Sequence, residues 1–332
     1  MKSQVTNMNT EEFNFDDVTP IPVSDDSGVV LCKIMYTDEF KVVFGYLRAL
    51  MSNNELSKRA KYVACRAISL VPAHYTVWQY KYNIVEKLMR ANEYDIMEEL
   101  EWCSNIALEN EKNYQIWHYR GRIISLIVET IHDGDKDKFN IDGEHNIVSK
   151  MLENDEKNYH VWSYKRWLVE YFDLFHNVKE LEYTENLILA DVRNNSAWNF
   201  RHFINFGKAD ILNETGLMNS EVEFTIKQIH LSITNPSSWN YLKFLYKEAI
   251  KSNNEISLPK IRDVVQKYTI DTSVAEELDQ NALRVSVPAY ELRAALCGDE
   301  GRSEEQRALF TLLGQKLDPV RRGYWAMRAQ YV

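Results

Sequence analysis

One phrase recurs along this chain and limits what it can fold into. KNYQIWHYR closes at Arg120, KNYHVWSYKRW at Trp167 and RNNSAWNFRHF at Phe203. Used as a template, the phrase finds two more copies, HYTVWQYKY around Trp78 and NPSSWNYLKF around Trp239. The anchor tryptophans Trp78, Trp117, Trp162, Trp198 and Trp239 are therefore 39, 45, 36 and 41 residues apart. Each gap is about one helical hairpin long, and the unequal gaps predict loops of different length between stacked hairpins.

Composition supports helices rather than sheets. The chain has 332 residues, 45% of them apolar, with only 11 Gly and 7 Pro, and an almost wholly helical, all-α solenoid fits that sparse turn chemistry. Lys and Arg total 39 against 49 Asp and Glu, a net charge of −10, which argues against nucleic acid as a partner. Cys32, Cys65, Cys103 and Cys297 have neither metal-knuckle nor redox spacing, so they are expected as reduced thiols in a cytoplasmic chain. The histidines are scattered too, and no metal site is expected from this chain alone. The longest apolar runs, such as IISLIV at 123–128, are too short to cross a bilayer, so no membrane insertion is expected.

The expected organisation is a flexible acidic N-terminal arm, residues 1–28, followed by one helical-repeat domain, residues 29–332. The arm reading rests on its acidic, polar sequence and on Pro20 and Pro22. From Tyr36 the pattern turns helical, with Thr37 as a cap and Phe40, Val43 or Phe44, Leu47 and Met51 on one stripe, and Ser57 to Leu70 forms the next helix. Between about Tyr94 and Leu108, Ile96, Leu100, Cys103 and Ala107 share a face. Glu98, Glu99, Glu101 and Asn105 fall mostly on the other. An aromatic follows each anchor Trp by two positions (Tyr80, Tyr119, Tyr164, Phe200, Tyr241), and the rings are expected to pack between hairpins rather than to form a ligand box.

Charged positions in the phrase divide into two kinds. The base three residues after the Trp (Lys81, Arg120, Lys165, Arg201, lapsing to Leu242) is expected to pair with neighbouring carboxylates. The insertion DGDKDKFNIDGE places Asp133, Asp135, Asp137 and Glu144 at calcium-loop positions, but Lys138 stands where the turn needs Gly, so a solvated acidic loop is expected. Five residues before the Trp, the central copies carry Lys112, Lys157 and Arg193. An Asn or His follows each at a helix-cap position: His74, Asn113, Asn158, Asn194 and Asn235. Cations beside helix N-termini describe an anion site, and from spacing alone the alternative of three solvated loop bases stays open.

These phrases, with IMYTDEFKVVFGYLRALM and DPVRRGYW, resemble the α subunit shared by protein farnesyltransferase and type I protein geranylgeranyltransferase, in a fungal form. The likeness runs from about Asp16 to Trp325 and is strongest from Asn110 to Phe203, while Cys297 to Arg307 departs from the family pattern. It implies a crescent-shaped right-handed superhelix of antiparallel helical hairpins wrapped around a β subunit that holds zinc and most of the isoprenoid pocket. The implied reaction joins a farnesyl or geranylgeranyl group, from an isoprenoid diphosphate, to the Cys thiol of CaaX-terminated proteins such as Ras/Rho-type GTPases, with magnesium assisting the leaving charge. Carried over by residue, Lys112 contacts the diphosphate and Tyr114 lies beside it. Gln115 binds the peptide's terminal carboxylate, Asn158, Tyr159 and His160 approach the diphosphate and isoprenoid, and Tyr75 faces the site. Two other classes stay open at this point, the Rab geranylgeranyltransferase α subunit and a non-catalytic tetratricopeptide-type scaffold. The unequal gaps argue against the scaffold, which should show a constant 34-residue period.

Overall fold

The computed structural model describes residues 8–22, 34–208, 215–270 and 286–332. All the regular structure among them is helical, and the chain forms two compact units, Met1–Phe172 and Asp173–Val332. The first unit contains α1 (Asp38–Ser52), α2 (Lys58–Leu70), α3 (Tyr75–Arg90), α4 (Ile96–Glu109), α5 (Gln115–Thr130), α6 (Asp142–Asn154) and α7 (Tyr159–Phe172). The second contains α8 (Val178–Ala190), α9 (Asn195–Phe206), α10 (Thr215–Leu231), α11 (Pro236–Lys251), α12 (Ser257–Lys267), α13 (Val287–Asp299), α14 (Ser303–Leu312) and α15 (Arg322–Gln330).

Local chemistry sets where the helices start and stop. Thr37 accepts from Phe40 N, Ser57 from Ala60 N and Asp95 from Met97 N, each satisfying an amide that its helix leaves without a partner. Asn54, Asn92 and Asn253 take positive φ just beyond α1, α3 and α11. There the chain closes with paired reverse hydrogen bonds, such as Asn54 N to Met51 O and Glu55 N to Leu50 O. Asn thus takes the left-handed position that Gly more often fills, which accounts for so many hairpins with so few glycines.

The five anchor tryptophans are buried, from 1% exposed at Trp239 to 8% at Trp162, and so are all five aromatics two residues on. The packing crosses from one repeat to the next: Trp78 meets Tyr119 at 5.1 Å between ring centroids, Trp117 meets Tyr164 at 5.0 Å and Trp198 meets Tyr241 at 5.4 Å. The base three residues after the Trp is buried as well, and in the first, second and fourth copies it pairs with a buried carboxylate on the following helix. Arg120 clasps Glu144 through Nε at 2.6 Å and Nη2 at 2.7 Å, and Arg201 clasps Glu221 at 2.8 and 2.6 Å. Lys81 pairs with Glu99, which is fully buried and not on the solvent face that its neighbours suggested. Glu144 likewise belongs to the core, not to the solvated acidic loop in which its calcium-like spacing had placed it.

Each of these carboxylates also receives the tyrosine of the next repeat. Tyr119 OH donates to Glu99 at 2.9 Å, Tyr164 OH to Glu144 at 2.6 Å and Tyr241 OH to Glu221 at 2.7 Å. Burial holds all three phenols well above their usual pKa, so each stays a donor.

A sixth copy of the phrase lies in α13. Ser286 caps the helix in place of Asn, Tyr290 stands for the Trp and is fully buried, and Arg293 pairs with Glu305 at 2.8 Å. Ser286 Oγ also donates to Ile233 O, the carbonyl that accepts from Trp239 Nε1. Without a Trp or an Asn, this copy has no spacing signal in the sequence.

Residues 8–22 fall inside the stretch expected to be a flexible arm, but they are seated on α1 and α2. Phe15 is 1% exposed against Tyr46, and Arg59 holds Asp17 through two nitrogens at 2.6 and 2.8 Å. Ile21 N donates to Gly45 O and Arg48 Nε to Ile21 O. A Cβ on Gly45 would lie 3.1 Å from Pro20 Cβ, so the helical glycine admits this close approach. The acidic and proline-rich composition concealed three apolar anchors, Met8, Phe15 and Val18, and a carboxylate with a fixed partner. The rest of the expected arm, 1–7 and 23–28, lies outside the described residues.

Replacing Glu144 by Ala leaves the Arg120 guanidinium buried without its carboxylate, an uncompensated charge that costs about 3–5 kcal/mol. Tyr164→Phe removes one hydrogen bond to a charged group and should cost about 1.5–3 kcal/mol. Urea unfolding followed by far-ultraviolet circular dichroism measures both. A wild-type midpoint for Glu144→Ala would show that the ion pair does not hold the repeats together.

Candidate functional site

The N-termini of α3, α5 and α7 carry the expected site residues, all within the first unit. Their placement follows from a second hydrogen-bond pattern of the phrase. Asn113 Oδ1 accepts from Gln115 N and Ile116 N, and Asn158 Oδ1 accepts from His160 N and Val161 N. Each amide nitrogen reaches back one repeat: Asn113 Nδ2 donates to Pro72 O at 2.8 Å and Asn158 Nδ2 to Glu111 O at 2.8 Å. Pro72 O accepts from Trp78 Nε1 as well, so one carbonyl ties a repeat's Trp to the next repeat's cap. The helix starts are thereby fixed against one another.

Two grooves run beside these starts. One, of about 610 Å³, is lined by Tyr114, His118, Arg122, Tyr159, His160 and Trp167, among others. The other, of about 400 Å³, is lined by Tyr75, Gln79, Tyr114, Gln115, His118 and Arg122, among others. Tyr75, Tyr114, Gln115, Tyr159 and His160 are thus brought together along two adjoining walls. Tyr75, Tyr114 and Tyr159 are 73%, 58% and 76% exposed, a large aromatic surface for residues that elsewhere in the phrase are buried. Gln115 Nε2 donates to Ala73 O at 3.0 Å, and the Tyr114 and His160 rings lie 6.1 Å apart.

Lys112 and Asn158 sit differently. Lys112, its side chain 74% exposed, stands just before α5 and forms an ion pair with Asp155, which stands before α7. That cation holds the Asp155 carboxyl below its usual pKa. Asn158 is 1% exposed, and its side chain is engaged in the cap and the Glu111 latch, so it positions Tyr159 and His160 from beneath the surface. Because the Asn caps take two amides of each helix start, the anion-attracting elements that remain there are the helix dipoles and the lysine. Lys157 precedes α7 beside Glu156, at 3.6 Å, and Arg193 precedes α9 in the second unit.

Sequence reasoning missed the groove floor. Arg122 lies with its Cζ 3.4 Å from the Tyr82 ring centroid and donates to Gln79 Oε1 at 2.6 Å. Tyr114, His118 and Arg122 recur every four residues along α5, and Tyr159, Ser163 and Trp167 do so along α7. That second stripe, on helices whose other faces carry the Trp, was the available signal.

Among the described residues no group of three or more His, Cys, Asp or Glu could hold a metal ion, and no helix is long and apolar enough to cross a membrane. Asn158→Ala should lower thermal stability by about 1–2 kcal/mol through loss of the cap. Asn158→Asp keeps the cap acceptor but not the donor to Glu111 O, and should fall between. Equal melting of all three proteins would contradict the latch.

Comparison with known proteins agrees with this anatomy. The family described as "Protein prenyltransferase alpha subunit repeat" matches residues 96–127, 141–172 and 178–205, the helix pairs α4–α5, α6–α7 and α8–α9. The "Protein farnesyltransferase/geranylgeranyltransferase type-1 subunit alpha" of Candida albicans is 34% identical over 318 residues, 96% of this chain and 97% of its own length. The protein of the same description from Arabidopsis thaliana is 31% identical over 327 residues, 96% of this chain and 94% of its own. Among solved structures, a chain of "Candida albicans protein geranylgeranyltransferase-I complexed with GGPP" superposes with a TM-score of 0.84 at 32% identity, over 97% of this chain and 99% of that one. With a repeat match on three helix pairs and relatives aligned end to end, the chain belongs to the family of protein farnesyltransferase/geranylgeranyltransferase type-1 α subunits.

Proposed function

We propose that this chain is the α half of a heterodimeric protein prenyltransferase, which moves a farnesyl or geranylgeranyl group from its diphosphate to the Cys thiol of a CaaX terminus. One observation carries the reading: an exposed lysine, Lys112, stands at helix starts beside aromatic grooves in a chain that aligns over almost its whole length with such α subunits. In the reaction the substrate sulfur forms a bond to C1 of the isoprenoid as the C1–O bond breaks. The electron pair leaves with the diphosphate. A cation at that oxygen meets more charge in the transition state than in the ground state, so Lys112 stabilises the leaving group and transfers no proton. Tyr114 lies beside the diphosphate, Tyr159 and His160 approach the diphosphate and isoprenoid, Gln115 binds the terminal carboxylate of the peptide, and Tyr75 faces the site.

Thiol activation is the chemistry zinc would supply, and this reading assigns that zinc to the β subunit. Magnesium would help to offset the negative charge that builds on the diphosphate. Which isoprenoid is used is a property of the β subunit pocket. The chain expressed by itself should therefore show no prenyl transfer even with zinc present, and co-expression with a β subunit should restore it. Robust activity of the lone chain would overturn the heterodimer reading.

Lys112→Ala removes one charge-assisted hydrogen bond, worth about 1.5–3 kcal/mol, so single-turnover prenylation of a CaaX peptide by the heterodimer should slow about ten- to a hundredfold. Isoprenoid affinity should change much less. Arg90→Ala, which removes an exposed base paired with Glu86 and Glu129, is the control and should keep the wild-type rate. Equal rates for Lys112→Ala and wild type would take the diphosphate role from this chain.

A further inference from the structure

The ion pair between Lys112 and Asp155 is asymmetric. Lys112 reaches out from the loop before α5 on a flexible, mostly exposed side chain. Asp155, in the loop before α7, is anchored: its side chain is 26% exposed, its Oδ1 accepts from Lys157 N at 3.3 Å and its backbone carbonyl accepts from Asn158 N at 3.0 Å. Of the two partners, the carboxylate is held in place and the ammonium is free to swing. The two residues are 43 positions apart and belong to adjacent repeats, so the pair bridges the helix starts that frame the site.

We propose that Asp155 is a positioning residue that holds the Lys112 ammonium in the empty enzyme and competes for it with the diphosphate. This rests on the assignment of Lys112 to the leaving group. An exposed pair of this kind contributes about 0.2–1 kcal/mol, a factor of about 1.5 to 5 in an equilibrium. That is weak enough for a multiply charged anion to displace, yet strong enough to weaken binding of the free product. When the C1–O bond has broken and diphosphate departs, Lys112 returns to Asp155, so the carboxylate lowers product affinity without touching the reacting atoms. The backbone turn itself does not need the charge: Asn110, Asp191 and Ser232 stand in three other phrases where Asp155 stands in the third, and Asn113 N to Asn110 O, Asn194 N to Asp191 O and Asn235 N to Ser232 O repeat the bond from Asn158 N to Asp155 O. Depression of the Asp155 pKa by Lys112 agrees with a carboxylate that stays charged through the neutral range.

The test uses the heterodimer and inorganic pyrophosphate as the probe, with affinity read by competition against a fluorescent isoprenoid diphosphate analogue. Asp155→Asn keeps the Oδ1 acceptor for Lys157 N and should bind pyrophosphate about two- to fivefold tighter, with the gain shrinking as salt is raised. At saturating isoprenoid diphosphate its single-turnover rate should stay within about twofold of wild type. Asp155→Ser, which also removes the charge, should behave alike and guards against a folding artefact of either variant. In a Lys112→Ala background, Asp155→Asn should change nothing. Unchanged pyrophosphate affinity for both Asp155 variants, or the same gain with and without Lys112, overturns the proposal while leaving the role of Lys112 intact. If Lys112→Ala alone alters neither rate nor pyrophosphate affinity, it is the leaving-group assignment that fails, and the proposal with it.

Discussion

The stack depends on buried carboxylates that are each shared between two successive repeats. Glu99, Glu144 and Glu221 are taken out of water, where an isolated charge costs several kcal/mol, and each is compensated from both sides. A base arrives from the repeat before and a phenol from the repeat after. Burial works against the charge on Arg120, but its two hydrogen bonds to Glu144 prevail and raise its pKa. A slip of one repeat relative to the next would strand a carboxylate, a guanidinium and a hydroxyl at once. The polar junctions therefore fix register, which an apolar interface of stacked aromatics could satisfy in several ways.

The same junctions fix the site. The Trp of one repeat packs on the aromatic of the next, and the Asn cap of the next repeat donates to the carbonyl held by that Trp. The helix starts at Gln115 and Tyr159 are in this way set by contacts on the buried side. The residues just before and just inside those starts, Lys112, Tyr114, Tyr159 and His160, are left to face outward. Packing and function use alternate positions of one phrase, so the phrase can be rigid in the core and adaptable at the rim.

How much of this could be read from the sequence follows from the period of each signal. The anchor Trp, the aromatic two later and the base three later recur five or nearly five times, and recurrence exposed the hairpins and their core. The partner of each base did not recur at a fixed distance: Glu99 is 18 residues after Lys81, Glu144 is 24 after Arg120 and Glu221 is 20 after Arg201. Glu99 consequently looked like one more member of a solvated face, and Glu144 like part of an acidic loop. The copy at Tyr290 was lost because Tyr and Ser replace Trp and Asn: Ser286 keeps the cap and the latch, while Tyr290 fills the Trp position and its hydroxyl accepts from Ile270 N instead of donating as the indoles do. The seat of residues 8–22 was concealed by composition, since three buried apolar side chains are enough to dock an acidic segment. The grooves escaped for a related reason: their floor at His118 and Arg122 follows a four-residue stripe offset from the Trp, visible only once the Trp face is known to be buried.

The division between the two kinds of base explains why the chain can present a usable cation at all. Arg120 and Arg201 each hold two nitrogens on a buried carboxylate and the third on backbone and hydroxyl oxygens, so neither could turn to a ligand without unfolding its junction. Lys112 differs in each respect that matters. It lies eight residues before Arg120, outside the helix, its one ion pair is made in water, and its flexible stem lets the ammonium follow an anion. In a chain of net charge −10, a long-range field would repel a diphosphate. On the proposed function, attraction is local, from a base kept beside two helix starts and out of the carboxylate network of the core, with Asp155 as its only close competitor among the ion pairs of the described residues.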